Sequence, residues 1–264
     1  MKLLLTMVSG EFIKLFKHTI FRYLLIAIPL ISLLNGTLYI GIDNMKAFSR
    51  IAQEENIWVG YYLAQFLIMS PILLIISNIC ISLIFLIEDK NNTWKYLFTL
   101  PVPIYYHFLS KIITATLTAC LIYILFSAAL IINALLLPFF YNDTFLEFGY
   151  SLKPLVILTI KLVIVSFSIS IIHTLLVFIV KQQTIILLLS VFLPIVCIYS
   201  LLKYLPYGWP IQNFWLTIKN KYEFKDWYPL ISTYEVSSIS LAFFCFAILF
   251  SQRDRLSNPK ILMR

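Results

Sequence analysis

Six stretches of about twenty mostly apolar, uncharged residues run through this chain, at roughly 21–42, 62–87, 112–140, 162–180, 184–202 and 236–252. A helix of about 20 apolar residues is long enough to cross the ~30 Å hydrocarbon core of a bilayer. In water, the same runs would need a polar coat that the chain does not have. Only 12% of the residues are charged and 61% are apolar or aromatic, against about 25% charged in an ordinary soluble domain. The chain is therefore read as an all-α integral membrane protein, with six transmembrane helices in a single membrane domain over residues 1–264. The first run lies too deep in the chain for a secretory signal and is followed by no small-residue cleavage site, so it is expected to remain as a span.

Six spans place both termini on one side, and the Lys/Arg distribution indicates which side. With the termini cytoplasmic, twelve Lys/Arg lie inside, among them Lys14, Lys17, Lys90, Lys95, Lys111 and Arg253, and seven outside, including Lys46, Arg50 and Lys153. The expected topology is a multi-pass cell-membrane protein with both ends in the cytoplasm. The net charge of +8 sits mainly beside apolar spans. It is read as an orientation signal, and no nucleic-acid partner is expected. The segment 203–235 carries Trp209, Trp215 and Trp227, rings that favour the headgroup layer, so it is expected on or in the outer leaflet. The link of Lys181, Gln182 and Gln183 is short enough to predict a tight antiparallel hairpin between spans four and five.

The residues of intramembrane catalysis are missing. There is no Gly-x-Ser-Gly turn, no His-Glu-x-x-His around His18, His107 or His173, and no Arg in register after Glu54 and Glu55. Cys80, Cys120, Cys197 and Cys245 all fall inside apolar runs without Cys-x-x-Cys spacing and read as small core residues. No phosphate-binding glycine loop occurs, so any ATP must be handled by another subunit, and no catalytic, metal or cofactor site is expected. His173 is read as a neutral, hydrogen-bonded packing residue, and Lys161 as an amine that reaches the outer interface. Asn35, Asn78 and Asn133 read as interior polar groups that tie helices together.

The densest motif lies between spans two and three. Glu88 and Asp89 close span two; Thr93, Trp94, Lys95, Tyr96, Leu97 and Phe98 follow, then Leu100-Pro101-Val102-Pro103, and Lys111 opens span three. Asn92 or Thr93 can cap a short helix from Trp94, and Pro101 ends it. Trp94, Leu97 and Phe98 then share one face. By composition alone this is equally an interfacial loop resting on headgroups. Its order resembles the permease subunits of type-2 ABC exporters, in which an acidic residue, a Thr/Ser-Trp pair, a short helix, Leu-Pro and a downstream Lys form the segment that meets the ATPase. An amphipathic helix before span one is expected to put Leu5, Val8, Phe12, Leu15 and Phe16 on one side, with Thr6, Lys14 and Lys17 on the other. Such permeases carry a similar helix.

The resemblance implies an ATP-binding-cassette permease without ATPase chemistry of its own, similar in size and loop style to the permeases of lantibiotic self-protection and bacitracin resistance. It implies a separate ABC ATPase, a second copy or related permease, and export of an amphipathic or lipophilic cargo. The implied ATPase-coupling residues are Glu88, Asp89, Thr93, Trp94, Leu97, Phe98, Pro101 and Lys111. Glu88 and Asp89 would cap or orient the short helix or pair with a cation of the partner. The competing reading is a membrane scaffold or assembly protein, and an adjacent ATPase gene discriminates against it.

Overall fold

Inside a bilayer there is no water to bond the backbone, so an apolar chain must satisfy its N–H and C=O groups within itself, and a helix does this within one segment. The computed structural model describes residues 2–38, 57–90, 102, 104–141, 152–180 and 183–199. These form helices α1 (Lys2–Lys17), α2 (Thr19–Leu38), α3 (Ile57–Lys90), α4 (Ile104–Tyr141), α5 (Lys153–Ile179) and α6 (Gln183–Tyr199), and no strand occurs among the described residues. Three of them contain spans long and apolar enough to cross a membrane, Gly60–Glu88, Tyr106–Leu137 and Leu155–Val177, with mean hydropathies of 2.5, 2.5 and 2.6. Helices α1 and α2 are separated by a 79° bend and count as a fourth span only if taken together, and α6 is a shorter apolar helix. The run 236–252 lies outside the described residues.

Two helices begin earlier than the charge pattern suggests. Lys111 and Lys161 looked like span boundaries, yet α4 starts at Ile104 and α5 at Lys153. A proline in the first turn of α5 sets its start, where the missing N–H costs nothing. Lys161 thus lies within an apolar helix, partly exposed. Lys111 is absorbed into α4 by ion pairs described below.

The core lies among α2, α3, α4 and α5. Phe66 of α3 meets Phe126 of α4 edge-on at 5.2 Å, and Tyr61, Tyr62, Tyr123 and Phe126 are fully enclosed. The exposed side chains Leu117, Ile124, Ile132 and Leu135 repeat along α4, as do Val156, Ile160 and Phe167 along α5. These stripes present apolar surface outward, as lipid contact requires. Hydroxyls are accommodated by bonding back one turn, as in Thr114 to Ser110 O, Thr159 to Leu155 O and Ser170 to Ser166 O.

The link after α5 is as short as expected, but α6 packs chiefly on α3 and only lightly on α5. One polar cluster nonetheless joins all three helices. Ser82 Oγ of α3, His173 Nε2 of α5 and Ser190 Oγ of α6 form a buried triangle with edges of 3.1, 3.1 and 2.9 Å. His173 is thus a hydrogen-bonded residue joining three helices.

Candidate functional site: a ring of charge where α1, α3 and α4 meet

Helix α1 turns into α2 at His18 through a bend of 79°. The His18 N–H bonds Leu15 O at 2.9 Å, and Phe16 packs edge-on to the buried Phe21 at 5.3 Å across the corner. This lays α1 across the ends of α3 and α4. The face it buries consists of Val8, Glu11 and Leu15, while Leu5 and Phe16, expected on that side, are exposed along with Leu3 and Ile13. An apolar flank on an exposed helix suits the headgroup boundary.

Glu11 is buried because it finds two cations. Its Oε1 accepts from Lys14 Nζ at 3.1 Å, and its Oε2 accepts from Lys111 Nζ of α4 at 3.4 Å. Glu88, at the end of α3, meets the same two amines: Lys14 Nζ at 3.0 Å and Lys111 Nζ at 2.9 Å. The four residues close a ring in which each charge touches two of opposite sign. Lys111 also lies 5.2 Å from the centroid of the Phe85 ring, within cation–π range.

The ring balances two carboxylates against two ammoniums, the condition under which charge is tolerated away from water. Glu88 and Lys111 side chains are each 1% exposed, so their pairing is nearly unscreened, whereas Lys14 is 44% exposed. Burial opposes the charge on Lys14, but Glu11 and Glu88 outweigh it, and the lysine pKa is raised.

Of the residues expected to couple to an ATPase, the structure brings Glu88 and Lys111 into direct contact and engages Glu88 with cations of its own chain. Asp89 lies in the last turn of α3. Thr93, Trp94, Leu97, Phe98 and Pro101 lie outside the described residues. Glu11 and Lys14 were not among the expected site residues. The available signal was an acid three residues before a lysine, on the helix side expected to be polar.

Long apolar helices enclosing a buried charge ring at one end define a multi-pass membrane protein. The profile described as "ABC-2 family transporter protein" matches residues 7–197, so the chain belongs to the ABC-2 transporter family and is a membrane permease component of an ABC transporter. No curated protein and no solved structure matches it.

Proposed function

We propose that the chain is the permease subunit of an exporter, with six spans in one membrane domain and both termini cytoplasmic, driven by an ABC ATPase in trans. The observation that carries the reading is the ring of Glu11, Lys14, Glu88 and Lys111. Glu88 and Lys111 flank the loop 91–103, and Glu11 and Lys14 bring α1 against the same two helix ends. Force applied to that loop would reach α1, α3 and α4 together, because breaking any one contact leaves charge poorly paired in a low-dielectric setting. Trp94 offers the largest side chain of the loop for docking, with Leu97, Phe98 and Thr93 beside it, Pro101 as the stop and Asp89 at its start.

The few charges and the apolar walls suit an amphipathic or lipophilic cargo, such as a peptide antibiotic, drug or lipid-like compound. A second copy or a related permease would complete the path, since each chain encloses little by itself. The test is co-expression with the ABC ATPases of the same genome, followed by capture through the permease. Trp94→Ala should cost about 2 kcal/mol or more of association if the ring is central to the interface. Full recovery of the ATPase and unchanged export with Trp94→Ala would return the loop to a headgroup-resting role.

A further inference from the structure

At the end of the bundle opposite the charge ring, four uncharged polar side chains gather against α2. Asn133 Nδ2 of α4 donates to the Ser32 carbonyl at 2.8 Å, and Asn35 Nδ2 donates to Gln65 Oε1 of α3 at 3.0 Å. Ser32 and Asn35 are three residues apart and share a face of α2, so the two bonds bring three helices to one place. Asn133 lies 22 residues beyond Lys111 on α4, about 33 Å at 1.5 Å per residue. That is close to the thickness of the hydrocarbon core.

Three atoms of this cluster are left over. Ser32 Oγ, Gln65 Nε2 and Asn133 Oδ1 have no hydrogen-bond partner among the described residues. Each belongs to a residue that is 0% exposed. Buried polar groups in proteins are nearly always bonded, and an orphan calls for an occupant. Three orphans from three helices in one cluster are not explained by helix tying, which the two bonds already accomplish.

We propose that Ser32, Gln65 and Asn133 form a binding site for a neutral hydrogen-bonding group, an amide or a hydroxyl. The atoms select for this chemistry. Gln65 Nε2 can only donate and Asn133 Oδ1 can only accept, while Ser32 Oγ does either. A carboxylate would oppose the Asn133 oxygen, and an ammonium would oppose the Gln65 N–H groups. None of the four residues carries charge to balance an ion. An amide carries both a donor and an acceptor and meets both ends. Water offers the same complement and fills the site when no amide is present. The site rests on this geometry and not on the export reading.

The test uses the full chain in liposomes with Cys80, Cys120, Cys197 and Cys245 replaced by Ala, bearing either Ser32→Cys or Ile28→Cys. Ile28 is equally buried one turn away and has an apolar side chain. The reagent is neutral methyl methanethiosulfonate, which reacts with the thiolate and so needs a hydrated thiol. Ser32→Cys should label about tenfold faster than Ile28→Cys. Slowing by excess N-methylacetamide supports the site, and undiminished labelling, which leaves it a plain water pocket, overturns the proposal. Equal inertness of both thiols overturns the site. Ser32→Ala in the otherwise native chain guards against misfolding of the cysteine variants. The hydroxyl has no protein partner to lose, so a lowered melting temperature means a bound group has been lost, and an unchanged or raised one overturns the proposal.

Discussion

Lys111 Nζ lies 2.9 Å from Glu88 Oε2, with both side chains 1% exposed, so α3 and α4, the helices on either side of residues 91–103, are joined by a buried ion pair. Breaking such a pair from one side leaves an uncompensated charge, whereas removing both partners does not. Glu88→Gln or Lys111→Met should therefore destabilise the detergent-purified permease by about 3–5 kcal/mol. The double variant Glu88→Gln with Lys111→Met should recover much of that loss. Thermal melts of the three proteins check the prediction, and additive losses in the double variant would show that the two groups do not act as a pair.

Lys14 behaves differently because it is half in water. Lys14→Met should cost less at neutral pH than Glu88→Gln or Lys111→Met, because water reaches Lys14, yet more than an exposed pair would, because Glu88 stays buried.

The cost of Lys14→Met also has a pH signature. The folded-state pKa of Lys14 is raised, burial being outweighed by Glu11 and Glu88. A raised pKa means that the stabilisation is fully present below the unfolded lysine value of about 10.4 and is lost as pH rises through the folded value. The difference in melting temperature between wild type and Lys14→Met should stay constant from neutral pH to about 9, then shrink at higher pH. A difference that shrank on acidification towards about pH 6 would contradict this assignment.

The described helices were legible because their apolar runs are long, and the acid, Trp, Pro and Lys order singled out Glu88 and Lys111, two of the four residues of the ring. The ring itself was not legible. Glu11 lies in an amphipathic helix where a single acid reads as part of a solvated face, and only the packing of α1 across α4 brings it to Lys111. The start of α4 was misjudged for the same reason. A lysine marks a span boundary only when water must solvate it, and here Glu11 and Glu88 take that role. The triangle that joins α3, α5 and α6 was not legible either, because Ser82, His173 and Ser190 share no sequence pattern.

That triangle should be tolerant of change. Ser82 Oγ and Ser190 Oγ each also lie 2.9 Å from a carbonyl one turn back, Asn78 O and Ile186 O. Removing the imidazole therefore leaves both hydroxyls with a backbone acceptor. Ser190→Ala should cost about 0.6 kcal/mol, the average found for hydrogen bonds between membrane helices. A loss above about 2 kcal/mol, measured by thermal melt, would instead mark the triangle as a main clamp between α3, α5 and α6.

The last prediction concerns orientation, on which the placement of the loop depends. A docking segment between α3 and α4 can meet a soluble ATPase only if Glu88 and Lys111 face the cytoplasm, and α1 must then lie on that side as well, since its Glu11 and Lys14 complete the ring. The twelve to seven excess of Lys/Arg on that side biases insertion the same way. A reporter active only in the cytoplasm should therefore work when fused after Lys95 or Arg264, and should be silent when inserted at Asp143, one span further on. The ring ties the N-terminal helix to the loop, so the two cannot lie on opposite faces. Cytoplasmic activity at Asp143 with silence at Lys95 would invert the whole arrangement, place the ring outside the cell, and remove the ATPase from its reach.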